Sequence, residues 1–381
     1  MLYLDTAATT PLHPSVLAVM MQVLRDTYGN PSSLHKIGLE AENLLKQSRQ
    51  MLASCVGCKP SQLFFTSGAT EANNWAIESA WLARNKRGKT LLAAETAHAS
   101  VLEKMEAMKA RGATVILLPV KESGTVNLQA LDAALNEDVI FVSLLWVNNE
   151  TGVIEPLSSL IAMIRKKSPH ALVHVDAVQG FLKLPVERWA NETDFLSLSA
   201  HKIYGPKGVG ALAVRENLPL HPLIHGGGQE AQKRGGTENV PGICGFSEAA
   251  KILGQGRETN FGKMKSIQKE FENFILSHLE NTRVNGMEEN RSPYISSLSI
   301  QDVRGEVMVH ALAALGVFVS TGAACSSKKA IVSHVLQAMK VPPGFLAGSI
   351  RASFSSDQNL EETLLAAQKI VDTARELRKN R

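Results

Sequence analysis

Three things are scarce in this 381-residue chain, and each scarcity excludes a class of protein. Cysteine occurs only four times, too few for a disulfide framework over such a length, so free thiols in a reducing compartment are expected. Charge of one sign is lacking too: 40 Lys and Arg against 36 Asp and Glu leave a formal net charge of +4. The basic residues are scattered except in the tail Arg375-Glu-Leu-Arg-Lys-Asn-Arg381, which argues against a nucleic-acid or membrane partner. Long apolar runs are missing. No stretch reaches the length of a membrane span, and the opening Leu2-Tyr-Leu has neither the basic segment nor the apolar run of a secretory leader. The expectation is a cytoplasmic protein.

Two motifs fall short of the sites they suggest. Cys55-Val-Gly-Cys58 has the spacing of a redox or metal pair. Such a site wants further ligands, and Cys244 and Cys325 are distant, with no histidine near the pair. Two small residues at a helix end and turn is the reading kept, and no metal is expected. Gly205-Pro-Lys-Gly-Val-Gly210 and Gly226-Gly-Gly228 lack both the Lys-Ser/Thr of a phosphate-binding loop and the full dinucleotide fingerprint.

What is present is a regular alternation. Apolar runs at Leu63–Thr66, Leu91–Ala94, Thr114–Leu118 and Val139–Leu145 read as buried strands, separated by amphipathic helical stretches. That order predicts an α/β fold with a mainly parallel central sheet covered by helices on both faces. Ligands then gather at the carboxyl ends of the strands. A polar helical stretch over about 251–280 is expected to lead into a smaller α+β lobe. The predicted division is a large domain over 14–255 and a small one formed by 1–13 with 256–381.

Three motifs sit at strand ends. Lys202, in Ser199-Ala-His-Lys-Ile-Tyr-Gly-Pro-Lys-Gly208, follows the apolar run Asp194–Leu198. A lysine with a lowered pKa forms a Schiff base with an aldehyde such as pyridoxal phosphate, although a lysine beside a Gly-Pro turn is more often a solvated surface residue. Asp176 ends Val173-His-Val-Asp176. An aspartate there holds a pyridine nitrogen protonated or, more commonly, caps a helix. Ser67-Gly-Ala-Thr70 joins a strand to a helix, which makes Ala69 and Thr70 candidate phosphate contacts, or Thr70 a plain cap.

Together, His-Val-Asp-Ala-Val-Gln179 and Ser-Ala-His-Lys-Ile-Tyr-Gly-Pro-Lys-Gly208 resemble the pyridoxal-binding core of the cysteine desulfurases of the nitrogen-fixation and housekeeping iron–sulfur type. The likeness runs from Tyr3-Leu-Asp-Thr-Ala-Ala-Thr-Thr-Pro11 to Ser349-Ile-Arg-Ala-Ser353. It implies a fold type I enzyme dependent on pyridoxal 5'-phosphate. Lys202 would then carry the cofactor, Asp176 would pair with its ring nitrogen, Gln179 and Asn149 would meet its oxygen or surroundings, and His98 would stack on the ring and transfer protons. Without the resemblance, His98 reads as a surface histidine at a helix start. Phosphate would be held by Ala69, Thr70, Ser199 and His201, with Thr237 supplied by the second subunit of a homodimer. Arg351, with Asn149, would bind the α-carboxylate of L-cysteine; a structural ion pair is its alternative.

Val319-Ser-Thr-Gly-Ala-Ala-Cys-Ser-Ser-Lys-Lys329 surrounds Cys325 with small and polar residues, the setting of an exposed nucleophile rather than of a core cysteine. The resemblance implies that Cys325 takes sulfur from cysteine as a persulfide, leaving alanine, and passes it to an acceptor such as an iron–sulfur scaffold protein. The family usually has serine where this chain has Ala323. Two other readings stand beside this one: a related aminotransferase or selenocysteine lyase, which needs no cysteine there, and a non-catalytic scaffold, which has no use for Lys202, Asp176, His98 and Arg351.

Overall fold

Strand Val139–Leu145 is apolar at six of its seven positions and buried along its whole length, so neither of its faces can meet water. It lies inside a seven-stranded sheet. In this computed structural model, which describes residues 1–185, 188–286, 288–322 and 332–379, the strands in chain order are β1 (Leu2–Tyr3), β2 (Leu63–Thr66), β3 (Thr90–Ala94), β4 (Thr114–Leu118), β5 (Val139–Leu145), β6 (Leu172–Asp176), β7 (Phe195–Ser199), β8 (Gly210–Val214), β9 (Thr282–Val284), β10 (Ile295–Ile300), β11 (Val317–Phe318) and β12 (Ser349–Ser353). The central sheet has the order β2-β8-β7-β6-β5-β3-β4.

The expected parallel sheet is there, with one strand reversed. β8 runs antiparallel to both β7 and β2, whereas the pairs from β7 to β4 are parallel. A parallel crossover needs about a dozen residues or more. Residues 200–209 are too few, and the Gly-Pro turn within them sends the chain straight back.

Alternate residues of each strand serve opposite faces. On β5, Val142 and Leu144 pack with Ile161, Phe181 and Phe246, while Phe141 turns to Trp75, Ile77 and Met105 on the other side. The covering helices include α1 (Pro14–Asp26), α2 (Lys36–Val56), α3 (Ala69–Arg84), α4 (Ala99–Lys109), α5 (Leu128–Ala134) and α6 (Leu157–Lys167). A separate cluster joins Leu4, Met264, Phe271, Leu298, Ile350, Phe354 and Ile370 beside the antiparallel sheet β12-β10-β9.

The helical stretch expected over 251–280 is two helices, Val240–Gln255 and Arg257–His278, parted at Gly256. The Gly-Gln-Gly run explains the break, because glycine disfavours a helix interior. The amino-terminal segment crosses between the clusters: Leu4 belongs to the small-sheet cluster and Ala7 to the larger core. Residues 5–10 are thereby laid against the carboxyl ends of the central strands.

Candidate active site

At those strand ends lies a cleft of about 670 Å³. Its wall contains Ala69, Thr70, His98, Asn149, Asp176, Gln179, Ser199, His201, Lys202 and Arg351, ten of the twelve residues singled out in the sequence. Thr237 is not among them. It lines an adjoining pocket of about 80 Å³ together with Ser67 and Gly208, which border both spaces. Cys325 lies outside the described residues. The neighbouring Gly322 is part of the cleft wall.

Each strand end contributes a group. β7 leads through a single helical turn, Ala200–Lys202, and Lys202 Nζ donates to the carbonyls of Ala7 and Ala8 at 2.6 and 2.7 Å. β6 delivers Asp176, whose Oδ2 accepts from Asn73 Nδ2 at 2.8 Å and whose Oδ1 accepts from the Val178 amide at 3.1 Å. Asn73 lies on α3, one turn past Thr70, and its Nδ2 also donates to Ser100 Oγ at 2.8 Å. His98 caps α4, accepting the Ser100 amide on Nδ1 at 3.2 Å. His98 thus starts a helix, as its plain reading has it, and also lines the cleft.

Arg351 shows the same double character. It is buried on β12, with Nη1 donating to the Asn149 carbonyl at 2.8 Å and Nη2 to Asp5 Oδ1 at 2.7 Å. It is an ion pair that also borders the cleft. Sequence reasoning missed Asn73, Asp5 and the carbonyls of Ala7 and Ala8. For Asn73 a signal existed, an asparagine amid Ala72, Trp75 and Ala76 in a helix interior where this residue type is disfavoured.

The electrostatics suit anionic ligands. Burial first, then Lys202, Lys207 and Lys183, push the His201 imidazole down to about 4, so it stays neutral near pH 7. Lys183, buried beneath the cleft with its ammonium 5.8 Å from the Tyr294 ring centroid, is pushed down to about 7 by burial and by Lys202 and Arg351. The thiols of Cys55 and Cys58 are pushed up by burial, Cys58 to about 11, which makes them poor nucleophiles.

The walls fit pyridoxal phosphate on three observations. Gln179 Nε2 donates to the Ala7 carbonyl at 2.9 Å while its buried Oε1 has no partner among the described residues. A Cβ placed on Gly68 or on Gly208 would meet nothing within 4 Å, so open space lies beside the start of α3. No side chain caps that helix, which leaves amides of its first turn free for an anion.

A lysine at one strand end, an aspartate at the next and an uncapped helix amino terminus at a third define a fold type I pyridoxal phosphate enzyme. The model of the family "Aminotransferase class-V" matches residues 2–364, and the chain belongs to that family. It is 38% identical over 376 residues to "Cysteine desulfurase IscS" of Dictyoglomus turgidum, covering 98% of this chain and 95% of the relative. To "Cysteine desulfurase" of Cereibacter sphaeroides it is 39% identical over 380 residues, covering 98% and 97%. A solved "NIFS-LIKE PROTEIN" superimposes with a TM-score of 0.92 at 35% identity over 97% of this chain and 98% of that one. "SspA in complex with cysteine" superimposes with a TM-score of 0.82 at 31% identity over 93% and 99%.

Proposed function

We infer that this chain is a cysteine desulfurase that converts L-cysteine to L-alanine and an enzyme persulfide, and hands that sulfur to an acceptor protein. The observation that carries the reading is that Lys202, Asp176, His98 and Arg351, from four separate stretches of sequence, line one cleft. Relatives named cysteine desulfurases match nearly the whole chain, and a structural neighbour is described in complex with cysteine.

The roles follow from position. Lys202 would hold pyridoxal phosphate covalently, and bound there the cofactor would supply an electron sink for the substrate's α-carbon. Asp176, fixed by Asn73, would pair with the ring nitrogen and keep its proton in place. Gln179, through the orphaned Oε1, and Asn149, from the same cleft wall, would meet the ring oxygen or its surroundings. Ala69 and Thr70 would offer amides to the phosphate, joined by Ser199 and by His201, which as a neutral imidazole would donate a hydrogen bond without adding charge. Because Nδ1 of His98 accepts a backbone amide, its proton rests on Nε2, available for transfer at the reacting carbon.

Arg351 orients the substrate carboxylate, assisted by Asn149. The Cys325 thiolate attacks the sulfur of the bound cysteine. An S–S bond forms as the C–S bond breaks, the released pair of electrons is taken up with a proton at carbon, and alanine leaves. A thiol reductant then frees the outer sulfur as sulfide, or an acceptor such as an iron–sulfur scaffold protein removes it.

We further propose a homodimer in which Thr237 completes the partner's phosphate site. Support comes from the exposure of Thr237 and from a row of exposed apolar residues, Leu17, Met21, Leu24 and Leu34, on α1 and the segment after it. Cytoplasmic residence is proposed with it, in keeping with the three unpaired cysteines among the described residues. The division into 14–255 and 1–13 with 256–381 is retained as a proposal, supported by the separate apolar clusters.

The deciding assay incubates purified protein with L-cysteine and a reductant and measures sulfide and alanine together. Equal yields are expected. Alanine without sulfide, or neither product, would overturn the assignment.

A further inference from the structure

We propose that the ion pair between partly buried Arg49 and buried Glu230 is a latch that holds a strained left-handed turn and so sets the position of Thr237, which makes Glu230 a positioning residue for the cofactor phosphate. The inference rests on the in-trans role given to Thr237 above.

Three consecutive residues that are not glycine, Glu230, Ala231 and Gln232, have φ of 46, 55 and 65°. An L residue disfavours that region because its Cβ crowds the following carbonyl, and such residues occur singly rather than in runs. Three in succession persist only if their surroundings over-determine them. Ala231 and Gln232 are exposed and contribute no burial that would hold the turn. Among the described residues, the backbone within the turn makes only two bonds, from the Gln232 amide to the Gly228 carbonyl at 3.1 Å and from the Lys233 amide to the Glu230 carbonyl at 3.0 Å, and of its three side chains only that of Glu230 is buried.

Glu230 is 6% exposed, and its carboxylate is fully engaged. Oε1 accepts from Arg49 Nη2 at 2.6 Å, and Oε2 accepts from Arg49 Nη1 at 2.8 Å and from the Phe65 amide at 2.9 Å. Arg49 is itself fixed, donating to the Leu63 carbonyl at 2.6 Å with its guanidinium 4.6 Å from the Phe65 ring centroid. Both Leu63 and Phe65 belong to β2, the strand that feeds Ser67–Thr70. Beyond the turn, Arg234 donates from Nε and Nη2 to Glu71 at 3.0 and 3.2 Å, and Glu71 in turn accepts the Ser67 amide at 2.8 Å.

The segment that leads to Thr237 is therefore registered at both ends against the strand and helix of the phosphate loop. A buried ion pair contributes little net stability compared with an apolar pair of the same size, but it specifies one geometry. Here the specified geometry is a turn the backbone would otherwise abandon. Once Glu230 lets go, the turn relaxes toward negative φ and the chain beyond it is redirected.

The test compares cofactor retention on dilution of the holoenzyme, read by absorbance of the protein-bound cofactor, for wild type, Glu230→Gln, Thr237→Ala and the triple variant Glu230→Gln/Ala231→Gly/Gln232→Gly. Glu230→Gln is expected to weaken cofactor binding at least tenfold. The glycines accept positive φ without strain, so the triple variant should recover most of that loss, a rescue that an ordinary loss of core stability would not show. If Glu230→Gln is insoluble, a soluble triple variant that retains cofactor supports the latch, and an insoluble one overturns it. Wild-type retention by Glu230→Gln, or a triple variant no better than Glu230→Gln, also overturns it. Thr237→Ala separates the two layers: normal retention there refutes the role of Thr237 itself, whereas weakened retention beside a normal Glu230→Gln refutes only the latch.

Discussion

Arg351 Nη2 donates to Asp5 Oδ1 at 2.7 Å, joining β12 to the amino-terminal segment that lies across the strand ends. The pair holds the guanidinium plane still, and the buried Nε has no partner among the described residues. As the carboxylate clamp proposed above, a guanidinium already fixed by one carboxylate would lose no rotamer freedom when substrate arrives.

Arg351→Leu should therefore weaken cysteine binding much more than it alters the resting cofactor spectrum. Removing one member of a buried charged pair costs about 2–5 kcal/mol, and leaving Asp5 unpaired should lower thermal stability as well. Spectral titration with cysteine measures the first effect and calorimetry the second. An unchanged apparent affinity would move the carboxylate clamp elsewhere.

Lys202 should carry the cofactor. Borohydride reduction of purified protein followed by peptide mass analysis should find the adduct on Lys202 alone, and Lys202→Ala should lose the covalent link. An adduct on Lys183 or Lys207, which lie nearby in sequence or charge, would displace the central assignment.

Much of this was legible in the sequence because the fold writes its strands as short apolar runs. β2, β4 and β5 begin and end where those runs do, and the motifs at the strand ends fall into the cleft. What escaped was non-local. The carbonyls of Ala7 and Ala8 beneath Lys202, Asp5 beside Arg351 and Asn73 beside Asp176 meet their partners across 103 to 346 residues, and no spacing rule joins such positions. The reversal of β8 was readable in principle from the shortness of 200–209. The left-handed turn at 230–232 was not, because nothing in Glu-Ala-Gln announces positive φ; the surrounding ion pairs impose it.

Acid should destabilise the protein through His174. This imidazole is fully buried on β6, its two nitrogens 2.9 Å from Ser143 Oγ and Ser197 Oγ, and burial pushes it down to about 4 against a smaller opposing pull from Asp176. In the unfolded chain it titrates near about 6.5. Between these values the unfolded state binds a proton that the folded state refuses, so stability falls as pH drops through that window, by about 1.4 kcal/mol per pH unit, and is unaffected above it. His201 acts in the same direction, more weakly because it is partly exposed. Urea unfolding at pH 7 and 4.5 should show a smaller loss for His174→Asn than for wild type, whatever the variant's absolute stability. An equal loss in both would assign the acid sensitivity to other groups.

The sharpest expectation concerns Cys325. In the proposed mechanism, binding cysteine and changing the cofactor spectrum rest on Lys202, Asp176 and Arg351 and not on Cys325, so Cys325→Ser should still give that change on adding substrate. It should release no sulfide, because a serine hydroxyl is scarcely ionised near neutrality whereas a thiol is partly thiolate and far more nucleophilic. Brief exposure of wild type to cysteine, followed by alkylation and peptide mass analysis, should place one extra sulfur on Cys325. Cys55 and Cys58, whose thiols burial pushes up, should carry none, and neither should the buried Cys244. A lyase acting on selenocysteine would still release selenium from Cys325→Ser, and a scaffold would turn over nothing even as wild type. Full desulfuration of cysteine by Cys325→Ser would eliminate the proposed persulfide route, since the thiol assigned to take the sulfur would be gone.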